Sequence, residues 1–330
     1  MEKLSTTIRS FASPDYLTEV TQSKYGFKKI NKCIPLKLGG SNDIYLLLSE
    51  DIKYIVKIFS KRQCWPYNKE HYLFELELQS FLVEHQFPAP QPILSLKNEL
   101  LETITLPEAN KYFAVYSYIP GDKWDHKLTK NQRFKKLGIK VAEFHKLTAG
   151  YKTSHQLRKL DISQLLEKSW SSIDKFVVLP NDYIKDEIYN LYQNIKRIVL
   201  SCKLEALPLS LIHGDVHAGN NLYDSKTNEL YLLDFELCGY GYISYEFATL
   251  KWDLLNSHKK QFVEQCMEEF FLGYNSVRSL DKKVFKDVDI FVKLRHFFML
   301  GSSFLFYPDR PQLNSLLMLN YYIETFNKIL

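Results

Sequence analysis

The run at residues 213–221, HGDVHAGNN, limits what this chain can fold into more than any other stretch. It places acidic and amide side chains in a glycine-broken loop directly after a short apolar run, residues 207–212 (LPLSLI). A second apolar run, residues 230–235 (LYLLDF), ends on Asp234. Between them, residues 224–228 (DSKTN) are rich in turn formers. The segment 207–236 therefore reads as a strand–loop–strand hairpin with His213, Asp215, Asn220 and Asp234 on its rims. Gly214 and Gly219 are poor helix formers, which weighs against His213 and His217 as a helical zinc pair. In that zinc motif the acid also follows the first histidine directly, whereas here it is two residues on.

His213, Asp215 and Asn220 fit the spacing H-x-D-x-x-x-x-N, the catalytic-loop spacing of protein kinases. Asp234-Phe235 stands where those enzymes carry the metal-binding Asp-Phe turn. Phosphoryl transfer calls for one carboxylate beside the attacking hydroxyl. It also calls for an amide and a second carboxylate to hold magnesium against the phosphates. Either half alone could be a set of satisfied turn residues beside two core strands. Both halves in order, on apolar strand-like runs, favour the chemistry.

Length and composition agree with a globular enzyme. The 330 residues suffice for two lobes, and 45% apolar with 25% charged residues is ordinary for a packed domain. A net charge of +5 does not point to nucleic acid. Its excess gathers around Lys130, Arg133, Lys135, Lys136 and Lys140, which on a helix reads as a solvated face. Cys33, Cys64, Cys202, Cys238 and Cys266 are scattered, odd in number and without a C-x-x-C pair, as expected of reduced thiols in the cytoplasm. The first residues lack an unbroken apolar core of a signal peptide. The longest apolar stretch, 297–307, is interrupted by Gly301, Ser302 and Ser303 and is too short to span a bilayer, so no membrane association is expected.

Residues 15–26 begin with Asp15 as a cap and close on Gly26, as a short helix does. Strand-like runs follow at 37–38, 44–48 and 54–59, the first two separated by Gly39-Gly40-Ser41-Asn42. Such a turn lets backbone N–H groups approach phosphates, although two glycines in a hairpin are most often only a turn. Lys57 lies among β-branched residues in the third run, ahead of an amphipathic helix at 69–85 that contains Glu75 and Glu77. That order matches a strand lysine on the α/β-phosphates paired with a helix glutamate. The two acids lie about 200° apart on a helix, so only one can face Lys57. Residues 112–119 (YFAVYSYI) end on Pro120-Gly121, an inter-lobe connector with a free backbone edge for a purine. Helical patterns follow at 131–147, 162–176, 182–200, 257–274, 284–298 and 312–330. The fold class expected is α+β and bilobal, protein-kinase-like: a sheet-rich N-lobe over 1–118 and a mostly helical C-lobe over 119–330, with a cleft for ligand between them.

At this point the chain resembles the aminoglycoside phosphotransferase and choline kinase-like family, over nearly its whole length. The resemblance rests on HGDVHAGN, on the segment from Glu75 through Leu82 to Pro88-Ala89-Pro90, on Pro120-Gly121, and on the helix at 138–147 (GIKVAEFHKL) ending near His145. Residues 234–255 look like the branch with the homoserine-kinase-like and stress-response-kinase-like proteins. The resemblance implies transfer of the ATP γ-phosphoryl group to a small-molecule hydroxyl, such as that of an aminoglycoside or amino alcohol. It makes Asp215 the base, Asn220 and Asp234 the Mg2+ ligands, and Glu75 the partner of Lys57 on the α/β-phosphates. Gly40, Ser41 and Asn42 would also meet the nucleotide, the backbone of Ser117 and Ile119 would face adenine, and His213 would brace the loop. A protein Ser/Thr kinase of the stress-response type and a non-catalytic nucleotide-binding scaffold are the alternatives.

Two positions depart from the family pattern. Glu236 follows Asp234-Phe235 where that branch often has Asp, and it would assist a metal or face solvent. Glu246 stands in a Tyr-Asp-Leu-Ala position and is expected to be structural. Acceptor recognition falls to the C-terminal helices. Glu264, Glu268, Glu269, Asp281, Asp287 and Asp289 could line an acidic pocket, and Tyr240, Tyr242, Tyr245 and Trp252 could stack on a sugar or an organic cation or belong to the core.

Overall fold

The computed structural model describes residues 10–39, 42–59, 68–123, 130–176, 182–202, 204, 207–306 and 323–326. The chain forms two compact units, Met1–Pro120 and Gly121–Leu330.

In the first unit, helix α1 (Pro14–Tyr25) starts two residues earlier than a cap at Asp15 would place it. Ser13 is its cap, accepting from the Tyr16 N–H at 3.3 Å, and Pro14 occupies the first turn, where its missing N–H has no cost. Gly26, at φ 71°, ends it. Strand β1 (Ile30–Lys37) runs antiparallel to β2 (Asn42–Ser49), which pairs with β3 (Ile52–Phe59). Only the last residue of β1 is foreseen by sequence, and Leu38 lies outside the strand. As an edge strand carrying Asn31, Lys32 and Pro35, β1 has no apolar alternation to read. Helix α2 (Lys69–Glu84) is capped by Asn68, which accepts from His71 N–H at 3.2 Å. Short strands β4 (Pro92–Ile93) and β5 (Glu102–Thr105) both pair with β6 (Asn110–Ser117). The sheet order is β1-β2-β3-β6-β4, with β5 also on β6.

The period-two alternation of β3 divides its side chains between two cores. Val56 and Ile58 pack with Leu17, Tyr45, Leu47, Phe113 and Val115 on the α1 side. Phe59 packs with Tyr72 and Leu76 of α2 and with Ala114 and Tyr116 of β6. Lys57, between Val56 and Ile58, shares the Phe59 face and is opposite Ala114 in the ladder.

The second unit opens with β7 (Asp122–Lys123) and helix α3 (Lys130–Leu147). After β8 (Lys159–Leu160) come a π-helical turn at Ser163–Glu167, helix α4 (Lys168–Phe176) and helix α5 (Asp182–Ser201). The site segment then supplies β9 (Leu209–Ile212), β10 (Asn221–Asp224), β11 (Glu229–Leu232) and β12 (Gly239–Tyr242). Helices α6 (Ile243–Ser257), α7 (Lys260–Val277), α8 (Lys282–Lys286) and α9 (Val288–Phe306) complete it. α6 lies where sequence reading saw no helix, and α8 and α9 replace one expected helix at 284–298. The helix expected at 312–330 lies largely outside the described residues.

One expectation is corrected in its connectivity. The hairpin is β10–β11, spanning residues 221–232, with Asn221 opposite Leu232. The run at 207–212 is not its first arm: β9 pairs with β12, in a separate sheet ordered β8-β12-β9. β10 (NLYD) is short and half polar, so it reads as part of the loop, and the stronger apolar run beside it is mistaken for its arm.

α3 and α7 meet backbone to backbone. A Cβ on Gly138 would lie 2.0 Å from the Phe270 carbonyl oxygen, and one on Gly273 would lie 2.0 Å from that of Lys135. Neither position has room for any side chain.

Candidate active site

The loop between β9 and β10 carries the candidate base. Gly214 has φ 76°, and a Cβ there would stand 2.6 Å from the Leu237 carbonyl oxygen, so only glycine fits between His213 and Asp215. The Asn220 side-chain amide donates to the Asp215 carboxylate at 2.9 Å and to the Asp215 carbonyl at 3.0 Å. His217 Nε2 stands 3.6 Å from the same carboxylate, while its Nδ1 accepts from Gly219 N–H at 3.0 Å. Asp215 thus has two polar side chains of its own loop turned toward it.

A third comes from a distance. Arg295, on α9, donates to the Asp215 carboxylate and to the Gly214 carbonyl oxygen at 3.3 Å. Its side chain is only 3% exposed, against 19% for that of Asp215. Burial pushes the Asp215 carboxyl up, but the Arg295 charge, with His217 and His213, outweighs it and holds the group well below the usual carboxylate range. Burial works against a charge on His217, yet the hydrogen bond and charge of Asp215 raise it above the ordinary histidine value.

Beneath the loop lies a buried carboxylate. Glu246 of α6 accepts from the backbone N–H of His213 at 2.8 Å and of Gly214 at 2.7 Å. His145 Nε2 lies 3.3 Å from Glu246 Oε1, and its Nδ1 lies 2.9 Å from the Tyr274 hydroxyl. Donation from Nε2–H to Glu246 leaves Nδ1 to accept from Tyr274. Burial raises the Glu246 carboxyl, but His145, His213 and the Gly214 N–H together lower it below its ordinary value. Burial dominates at His145 and lowers its pKa despite Glu246. The pair is thus a carboxylate facing a neutral imidazole. Thr249, one turn along α6, accepts from the Val216 N–H at 3.1 Å.

His213 is buried, with its Nε2 2.9 Å from the Leu233 carbonyl oxygen and its ring 4.7 Å from that of Phe235. Leu233 N–H donates to the Asn220 carbonyl at 2.9 Å, which joins the two ends of the β10–β11 hairpin. Asp234 follows at once in left-handed backbone, φ 59° and ψ 69°. A non-glycine residue held there is strained by about 1 kcal/mol or more, and such strain gathers at functional sites. Glu236 is buried at 5% exposure, which corrects the solvent-facing alternative for it.

In the first unit, Lys57 Nζ is 2.8 Å from Glu75 Oε1, both side chains buried. Glu77, two residues along α2, is half-buried. Asn42 is buried at the start of β2, while Gly40 and Ser41 lie outside the described residues. Ser117 closes β6, and its N–H donates to the Gln91 carbonyl at 3.0 Å, so only its carbonyl can serve a base. Ile119 follows, half-buried.

Glu246 was expected to be structural and its loop contacts were not foreseen, and Arg295 was not singled out at all. Each has one sequence signal, a charge inside an apolar helical run: Glu246 in YEFATL, and Arg295 in FVKLRHFFML, where it comes after Lys293 and before the apolar stretch from Phe297. Of the acids suggested for a pocket, Glu264, Glu268, Asp281 and Asp289 are exposed and Glu269 and Asp287 half-buried. Of the suggested stacking aromatics, Tyr245 is fully buried, Tyr242 packs on Phe291 at 5.2 Å, and Tyr240 is exposed.

A family profile described as the phosphotransferase enzyme family matches residues 32–280. The chain is 26% identical over 279 residues to an uncharacterized protein of Synechocystis sp., covering 83% of this chain and 73% of that one. Among solved structures it is similar to an amicoumacin kinase in complex with AMP-PNP, Ca2+ and Ami, with a TM-score of 0.77 and 20% identity over 95% of this chain and 92% of that one. It is also similar to a microcompartment-associated aminopropanol kinase, with a TM-score of 0.73 and 17% identity over 95% of this chain and 94% of that one. At these identities the structural likeness is one of fold: an antiparallel sheet in the N-terminal part and helices in the C-terminal part.

Proposed function

Because the chain belongs to the phosphotransferase enzyme family, we propose that it transfers the γ-phosphoryl group of ATP to a hydroxyl of a small molecule. The observation that carries this reading is the Asp215 carboxylate. It is fixed by the Asn220 amide on a loop whose backbone is held from below by Glu246. In this role Asp215 accepts the hydrogen bond of the attacking hydroxyl and turns its lone pair toward the phosphorus. Lys57, held by Glu75, neutralises charge on the α- and β-phosphates. The carbonyl of Ser117 and the backbone of Ile119 read the base, and Asn42 with Gly40 and Ser41 covers the phosphates.

The donors offered to a metal suit magnesium. The Asn220 NH2 is spent on Asp215, which leaves its amide oxygen as the free ligand, and Asp234 stands at the same end of the hairpin. Two oxygen donors suit an ion that draws its remaining ligands from water and nucleotide phosphates. When bound, magnesium neutralises the developing charge on the β- and γ-oxygens.

The test is ADP release with Mg2+ and ATP against 1-amino-2-propanol, choline, kanamycin, glycerol and casein, with Asp215→Asn alongside. Acceptor-dependent ADP that falls ~10²–10⁴-fold in the variant, with ATP affinity kept within a few-fold, is the expected result. Casein alone as acceptor would favour a protein kinase. ATP binding with no acceptor-stimulated ADP would leave a nucleotide-binding scaffold.

A further inference from the structure

Arg295 lies outside the segment that the family profile matches, which ends at residue 280, yet it makes an ion pair with the candidate base. Its placement on α9 is tightly held. The guanidinium carbon sits 5.6 Å from the Trp252 ring centre and 5.8 Å from that of Phe298. One terminal nitrogen donates to the Gly214 carbonyl at 3.3 Å and lies 3.4 Å from the Tyr245 hydroxyl, while the other donates to Asp215 Oδ1. Such a cation cannot swing away without leaving two aromatic faces and two oxygens, and it cannot lose its proton.

Asp215 is therefore gripped on both oxygens: Oδ1 by Arg295 and Oδ2 by Asn220 at 2.9 Å. An ionised carboxylate has about four lone-pair positions; Arg295, Asn220 and His217 face up to three of them, which leaves one to receive an acceptor hydroxyl. The grip removes rotation about the Cβ–Cγ bond, the freedom that would carry that lone pair off line. Asn220 alone does not do this, because a carboxylate held at one oxygen still pivots about that contact.

We propose that Arg295 is a positioning residue for phosphoryl transfer, fixing the plane of the Asp215 carboxylate so that it meets the acceptor hydroxyl in line. This rests on the reading of Asp215 as the base. The C-terminal helix α9 thereby reaches the catalytic loop directly, through one side chain.

The experiment uses the full chain, Mg2+–ATP and whichever acceptor of the panel above turns over, with Arg295→Met, Arg295→Lys, Asp215→Asn and the Asp215→Asn/Arg295→Met double variant. Loss of about 1 Å in placement costs ~10² in rate. Arg295→Met is expected to lower kcat by about that factor while the KM for ATP stays within about two-fold. Arg295→Lys keeps the charge but not the fork, and it should fall between the two. Added guanidinium ion should restore part of the Arg295→Met rate and none of the wild-type rate. The double variant should be no slower than Asp215→Asn, because positioning an absent base has no effect.

Arg295→Met with native circular dichroism and kcat within about three-fold of wild type overturns the proposal. So does a double variant slowed by the full single-variant factor. Wild-type protein without acceptor-dependent ADP, or Asp215→Asn at full rate, overturns the reading of Asp215 and the proposal with it. Loss in Asp215→Asn but not in Arg295→Met overturns the proposal alone.

Discussion

Replacing Glu246 by glutamine separates its charge from its shape. Oε1 accepts from His213 N–H at 2.8 Å and from His145 Nε2 at 3.3 Å, and Oε2 accepts from Gly214 N–H at 2.7 Å. Glutamine keeps one oxygen, best spent where two donors converge, so its NH2 must face the Gly214 N–H, donor against donor. One charge-assisted hydrogen bond, about 1.5–3 kcal/mol, is lost, and a buried N–H is left unpaired at about 1–3 kcal/mol. A neutral side chain is easier to bury, which offsets part of that, and the net destabilisation is about 3 kcal/mol. For a unit of this size 1 kcal/mol moves the midpoint by about 2–4 °C, so differential scanning calorimetry should show the second unit melting about 6–12 °C lower. The same change displaces the backbone of residues 213–214, so acceptor-dependent ADP release should fall about 10-fold or more. A midpoint within about 2 °C of wild type, with turnover intact, would refute the carboxylate as the brace of this loop.

The acid limb should bear the mark of the same network. The folded pKa of Glu246 and that of His145 are both lowered, so their stabilisation is complete above their ordinary values of 4.5 and 6.5 and is lost as pH falls below them. The wild-type midpoint should decline from pH 7 to pH 4, and Glu246→Gln should decline less steeply over that range. Lys57→Met should weaken Mg2+–ATP binding strongly by isothermal titration, Glu75→Gln less, and Glu77→Ala should stay within ~0.5 kcal/mol of wild type. Asp234→Ala should bind ATP with an affinity that no longer rises with magnesium, read by titrating the metal at fixed nucleotide.

What is legible in the sequence is what depends on neighbours a few residues away. The alternation Val56-Lys57-Ile58 announces a lysine on the opposite face from two core residues, and the phase of α2 lets one of Glu75 and Glu77 face it. The motif 213–221 declares its loop through Gly214, which no other residue can replace there. Strand partners are another matter. β9 pairs with β12 across some thirty residues, and no local pattern says that the apolar run before the loop belongs to a different sheet from the run after it. Glu246 and Arg295 reach Asp215's loop from 33 and 80 residues away, so their roles arise only when the chain closes on itself. The capping of α1 by Ser13 is a different failure, because two competent residues, Ser13 and Asp15, flank one proline and the proline decides.

The contact of α3 with α7 has a mechanical consequence. Where backbone meets backbone at Gly138 and Gly273, neither helix can slide along the other, because any translation drives a neighbouring side chain into a carbonyl. The two helices lie against each other along much of their length, so they move together rather than past each other. Tyr274 follows Gly273 directly, and its hydroxyl reaches His145 Nδ1 at 2.9 Å. The hydrogen bond to His145, and through it the carboxylate under the loop, is therefore set by the register of two helices that cannot shift without a backbone clash.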